Sequence, residues 1–154
     1  MSHSAAIFLV AAVLLSLLTA QTPKPKIFAQ RLVEQEMDKH PDLLIVVFHV
    51  TPLGQKVNVI VASNIGRIGK KADEDDMRVI NTGKPNLEVN ATGDHFEVEM
   101  AQRDKSGKVI GALAVVYAYK PDVDKEMLHA KAEEIRKEVE AQVPDRAKLF
   151  EVEK

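Results

Sequence analysis

The sequence predicts an α+β fold. A five-stranded antiparallel sheet carries a helix in the crossover after its second strand and a helix at each end. Three observations point there. Five segments are apolar, or alternate polar with apolar, as strands do. Turn sequences such as Thr51-Pro52-Leu53-Gly54 and Thr92-Gly93-Asp94 make short connections, which suit antiparallel neighbours. Segments before the first strand and after the last carry apolar residues at helical spacing instead.

The first helix spans Ile27 to Lys39, with Phe28, Leu32, Val33 and Met37 as a partial apolar stripe. Pro41 ends it, because the residue before a proline avoids the helical region. Leu43 to Val50 reads L-L-I-V-V-F-H-V, a buried central strand. Lys56 to Ser63 is the second strand, paired with the first as a hairpin. Asn64 to Lys71 is a glycine-containing loop. Asp73 then caps a short helix through Asn81, and Glu74, Asp75 and Asp76 favour its positive end. Gly83 stops that helix and Pro85 follows.

Asn86 to Ala91 is a short third strand. His95 to Gln102 (H-F-E-V-E-M-A-Q) alternates as a half-buried strand does. Arg103 to Lys108 turns around Ser106-Gly107, and Val109 to Tyr119 is the last and most apolar strand. After Pro121, Asp122 or Asp124 caps a long helix. Its buried stripe is Leu128, Ala132, Ile135, Val139 and Val143, and Pro144 breaks it. The crossover, Asn64 to Pro85, must lie over one face of the sheet.

Composition removes several function classes. The 154 residues carry 21 Lys and Arg against 23 Asp and Glu. Such a balance does not suit binding nucleic acid through a basic surface. With no cysteine there is no disulfide framework, thiolate metal site or thiol nucleophile. None of the serine-hydrolase, zinc-protease, P-loop or dinucleotide-binding signatures is present. Ile65-Gly66-Arg67-Ile68-Gly69 holds only G-x-x-G, without the lysine and helix start of a phosphate cradle. The chain is therefore expected to be non-enzymatic and to need no cofactor or metal.

No Asp, Glu, Lys or Arg occurs in residues 1–20, and Ala5 to Leu18 is nearly all apolar. That run has the length of a signal-peptide core and falls short of a spanning helix. Cleavage after Ala20 leaves a linker over 21–26 and a domain over 27–154, periplasmic or secreted, without a stable membrane span. An uncleaved anchor and a buried helix are the other readings of the run.

Two passages resemble one family. Arg103-Asp104-Lys105-Ser106-Gly107-Lys108-Val109-Ile110-Gly111-Ala112-Leu113-Ala114-Val115 is similar to the polar hairpin turn and following strand of PAS-like Cache domains. Val61-Ala62-Ser63-Asn64, then Ile68-Gly69-Lys70 and a short acidic helix, resembles that family's passage from strand to loop. These domains are extracytoplasmic sensors of bacterial chemoreceptors and histidine kinases. The resemblance covers Ile27 to Tyr119 and implies a small-molecule pocket between sheet and crossover, commonly for carboxylates, amino acids or other small metabolites. Family members usually continue into a membrane span and a signalling domain; this sequence does not.

A carboxylate needs a cation or convergent N–H donors. The candidates are Arg67 in the loop and Arg78 on the short helix, with Lys70 and Lys71 weaker choices. Asn64 offers a hydrogen bond. Tyr117 and Tyr119, on the strand face of Leu113 and Val115, could line an apolar pocket. His49 shares a face with Ile45 and Val47. Each has a plainer role: a solvated Arg67, an Arg78 paired with Glu74, core tyrosines, a hydrogen-bonded core His49, a turn residue at Asn64. His95, Glu97 and Glu99 lie on one face of one strand. They are either its wet face or the start of a metal site that needs a further ligand such as His49.

Two function classes follow. One is an exported sensor-type domain that binds a small carboxylate or similar metabolite. The other is an interaction module whose terminal helices, through Leu128 to Val143, pair with a second copy or a signalling partner.

Overall fold

The structure is a computed structural model that describes residues 25–153. The leader reading falls on 1–20, outside the described residues. The elements run α1 (Phe28–Lys39), β1 (Leu43–Val50), β2 (Val59–Ser63), α2 (Glu74–Thr82), β3 (Asn86–Val89), β4 (His95–Arg103), β5 (Val109–Ala118) and α3 (Lys125–Glu140). All five strands form one antiparallel sheet in the order β2-β1-β5-β4-β3. The α+β fold with an antiparallel sheet and a crossover helix is as expected. β2 and β3 are shorter than the sequence suggests, because Lys56–Asn58 and Asn90–Ala91 belong to turns.

The helix boundaries follow local chemistry. Asp73 caps α2 by accepting from the amides of Asp75 (3.1 Å) and Asp76 (3.2 Å). Asp76 reaches back to the amide of Asp73 at 2.7 Å, which completes a capping box. Gly83 ends α2 at φ +71°, a left-handed turn in which glycine has no side-chain penalty. Asp124, not Asp122, caps α3. α1 has no side-chain cap. Its first amide instead donates to Glu151 O at 2.8 Å, and Ile27 bridges Val152, so the tail closes the end of α1. That tail also forms a 3-10 turn at Ala147–Phe150, which buries Leu149.

α1 and α3 cover one face of the sheet. Phe28, Leu32 and Val33 of α1, and Leu128, Ala132, Ile135 and Val139 of α3, pack with Phe48, Phe96, Val98, Met100, Leu113, Val115 and Tyr117. Side chains of this class stabilise by roughly 1.5–3 kcal/mol each when fully buried. The stripe of α3 is therefore spent inside the chain. Met127 is its large apolar side chain left exposed.

The opposite face is covered only in part, by α2 and the loop before it. Val79 of α2 packs there on Ala101 and Ala112. The alternation of β4 holds, with Phe96, Val98 and Met100 in the core. Its other face is not uniformly wet, because α2 lies over the Glu99 end and leaves that side chain 1% exposed.

Candidate functional site

A cleft of about 250 Å³ opens between the sheet and the crossover. Ile45, Val47 and Ile60 supply apolar floor, with Ala114 and Val116 of β5 between the strands on either side. A smaller hollow of about 170 Å³ shares Ile45, Glu88, Glu97 and Val116 with it and extends to Asn90 and His95.

The loop that walls the cleft is held by its own backbone. Ile60 donates to Lys70 O at 2.9 Å and accepts from Gly69 N at 2.8 Å, so the loop doubles back along β2. This carries Arg67 and Lys70 to the β2 side of the cleft. Arg67 is held at φ +64°, a left-handed conformation that disfavours a side chain. Glu88 of β3 and Glu97 of β4 line the cleft from the other edge of the sheet. Burial, then the neighbouring Glu88, pushes the Glu97 carboxyl above its ordinary range.

His49, Asp73 and Asp76 line the end of the cleft under α2. His49 is 6% exposed, and its Nδ1 lies 3.4 Å from Asp76 Oδ2. Burial lowers the pKa of His49. Glu99 lies deeper, with its carboxyl pushed up to about 9, first by burial and then by Asp76. One potential ligand atom from each of His49, Asp76 and Glu99 lies within 4.8 Å of the others.

The geometry follows from the registers. His49 pairs with Ala112 and Glu99 with Ala114, so β5 separates them. Two alanines on that middle strand leave room for the flanking side chains to lean across it. A larger hollow of about 380 Å³ lies at the other end of β1 and β5, lined by Thr51, Asn58 and Asp104 among others. Asp104 is engaged there by the hairpin turn, accepting from Ser106 and Lys108. Perturbed carboxyls and a buried histidine single out the smaller cleft instead.

Of the residues named from sequence, His49, Arg67, Lys70 and Glu97 line the cleft together. Asn64 turns its amide to the backbone of β1. Arg78 is exposed, pairing with Asp75 at 2.5 Å and with Asn86 at 2.9 Å, and not with Glu74. Tyr117 is fully buried on the helix-covered face, away from the cleft. Tyr119 packs beside Phe96 at 5.9 Å, with the Lys125 ammonium 5.3 Å from its ring. His95 is hydrogen-bonded within the Asn90–Asp94 turn, four residues along β4 from Glu99. At about 3.4 Å per residue that is too far for one ion to join them.

Sequence reasoning passed over Glu88 and took Asp76 only as part of a helix start. The Asp73-x-x-Asp76 capping box was the available signal, because its second member must point back across the helix start.

No family model matches the chain, and no curated protein sequence matches it. Solved structures do. The A. aeolicus nlh2 GAF domain, in an inactive state, superposes with a TM-score of 0.59 at 12% identity, over 76% of this chain and 85% of that one. The GAF domain of a two-component sensor histidine kinase from Bacillus halodurans gives a TM-score of 0.53 at 11% identity, over 73% and 91%. The chain therefore has a PAS-like fold of the kind that GAF domains share. No helix among the described residues is long and apolar enough to cross a membrane.

Proposed function

We propose that this chain is a sensor-type, non-enzymatic binding domain for a small metabolite that carries both a carboxylate and a cationic group. The observation that carries the reading is the division of charge in the cleft, with Arg67 and Lys70 at the β2 side and Glu88 and Glu97 at the other edge. A carboxylate satisfies the first pair through charge-assisted hydrogen bonds. A cation offsets the burial, and after it the neighbouring Glu88, that raise Glu97. The volume suits a molecule of amino-acid size, at the lower end of ligand pockets. Arg67 supports the reading from a second side, because strained backbone at a non-glycine residue costs about 1–3 kcal/mol and tends to persist at ligand clamps.

The Cache resemblance and the apolar leader in residues 1–20 support export to the periplasm or beyond. The first residue after cleavage would be Gln21, and mass spectrometry of chain recovered from cells reads it directly. Pairing through the terminal helices draws no support from α3, whose apolar stripe is buried against its own sheet.

The test is a thermal-shift panel of amino acids and small mono- and dicarboxylates, run in chelator. Zwitterions are expected to raise Tm. Arg67→Gly is expected to abolish the shift while leaving the protein at least as stable, since glycine relieves the backbone. If no zwitterion in the panel acts, or if Arg67→Gly responds like the parent, the reading fails.

A further inference from the structure

We propose that His49, Asp76 and Glu99 bind one divalent cation of the zinc class at the inner end of the cleft. This site does not rest on the metabolite reading, although His49 and Asp76 also face the cleft.

The first support is the pair of buried atoms left without partners. His49 Nδ1 and Glu99 Oε1 have no hydrogen-bond partner, on side chains that are 6% and 1% exposed. An unsatisfied buried polar group costs about 1–3 kcal/mol, so native structures rarely leave two of them facing one point. An ion between them satisfies both.

The second support is spacing. Zinc-type ions bind nitrogen and oxygen at about 2.0–2.2 Å, so two ligands in a tetrahedral shell stand roughly 3.4 Å apart. His49 Nδ1 and Asp76 Oδ2 are 3.4 Å apart. One donor atom of Glu99 lies within 4.8 Å of a donor atom on each of the other two, so a movement on the order of 1.5 Å in its carboxylate completes the set. The donors come from β1, α2 and β4, three elements already packed against β5 or one another. With only the Glu99 carboxylate left to move, binding costs little further order.

The third support is charge and donor type. Once the ion displaces the proton of Glu99 to solvent, two carboxylates and a neutral imidazole around a dication make a neutral site, the arrangement a dry interior favours. An imidazole among the donors selects zinc-like ions over calcium or magnesium, which prefer all-oxygen shells of six or more. His49 and Asp76 line an open cleft, which gives the ion an entry path and leaves a position for water.

A second trio, Glu36, His40 and Glu138, meets the same distance limit and likewise leaves two buried atoms, Glu36 Oε2 and His40 Nε2, without hydrogen-bond partners. There the cation is already present. Lys39 Nζ sits 2.7 Å from Glu138 and 3.9 Å from Glu36. That contrast supplies the control.

Calorimetry of the untagged, chelator-stripped full chain with Zn²⁺ alone is the test. One ion per chain is expected. His49→Gln and Glu99→Gln should each weaken binding by at least about tenfold. His40→Gln and Arg67→Gly should leave it unchanged, which separates failure here from failure of the metabolite reading. Absence of stoichiometric binding overturns the site, as does binding that survives both variants or that is lost with His40→Gln. Should either variant fail to melt cooperatively, wild-type chain with ¹⁵N-labelled histidine replaces it. Zn²⁺ must then move the Nδ1 resonance of His49; movement confined to His3, His40, His95 or His129 overturns the proposal.

Discussion

The side-chain amide of Asn64 continues the pairing of β2 with β1 beyond the last residue of β2, its Oδ1 accepting from the Val46 amide at 2.9 Å. Its Nδ2 donates to Leu44 O at 2.9 Å, and its backbone amide adds a longer bond of 3.4 Å to Val46 O. The residue therefore behaves as one more rung of the ladder, at the point where the chain leaves the sheet for the crossover.

Replacing Asn64 with alanine removes both side-chain bonds. Each is worth about 1 kcal/mol net, and exposure lets water replace part of that. The expected loss is about 1 kcal/mol in urea denaturation. Asn64→Asp keeps the acceptor, loses the donor and places a charge beside a carbonyl, so it should be no better. An alanine variant as stable as the parent would show that the extra rung contributes nothing.

Gly111 lies where β5 crosses closest to β1. A β-carbon there would stand 2.1 Å from the backbone oxygen of His49, a clash no side-chain rotation relieves. Gly111→Ala should cost more than 3 kcal/mol, because two central strands must separate or slip. The check is whether the variant accumulates folded and melts cooperatively. Near-parental stability would mean that the β1–β5 register is not as described.

Asp73→Ala removes the cap that aims the first turn of α2. A lost cap of this kind costs about 1 kcal/mol. Amide exchange should quicken first in Asp75–Arg78, ahead of the strands, because the lesion is local. Asp73→Ser keeps an acceptor and should recover most of the loss. Equal exchange in the alanine variant and the parent would count against the capping box.

Glu36 supplies the pH dependence. It is fully buried in α1, and burial raises its pKa, opposed by the hydrogen bond from Gln35 and by the charges of Lys39 and His40. Glu138 of α3, packed opposite, raises it further. The unfolded chain titrates near about 4.3. A carboxyl whose folded value is raised contributes stability that is complete below the unfolded value and is lost as pH rises toward the folded one. Glu36→Gln keeps the shape without the charge, so its melting temperature should fall less than the parent's as pH rises above about 4.3. Parallel curves for the two proteins would remove this residue from the account.

Much of the fold was legible because its signals are local. Pro41 marks the end of α1, the Asp73 cap and Gly83 bracket α2, and alternation in β4 assigns Phe96, Val98 and Met100 to the core. Where signals were weak, boundaries moved. β2 lost Lys56–Asn58, and the tail after Pro144 folded back on α1 through Glu151 and Val152. That contact links residues more than a hundred positions apart, which no periodicity encodes. Among the candidate site residues, His49 and Arg67 reached the cleft, while Tyr117 fell on the helix-covered face. The tyrosine's strand face could be read from the sequence; which layer would cover that face could not.

The sequence by itself determined the kind and order of the elements, through residue spacing, caps and turns, all of which act within a few residues. Tertiary structure alone decided that His49, Asp76 and Glu99 meet. Their meeting requires β5 to be inserted between β1 and β4, Ala112 and Ala114 to face the crossover, and α2 to lie over that end of the sheet. Each of these is a register or a packing choice between distant segments. The free energy that selects them comes from burying one face of the sheet under α1 and α3 and part of the other under α2.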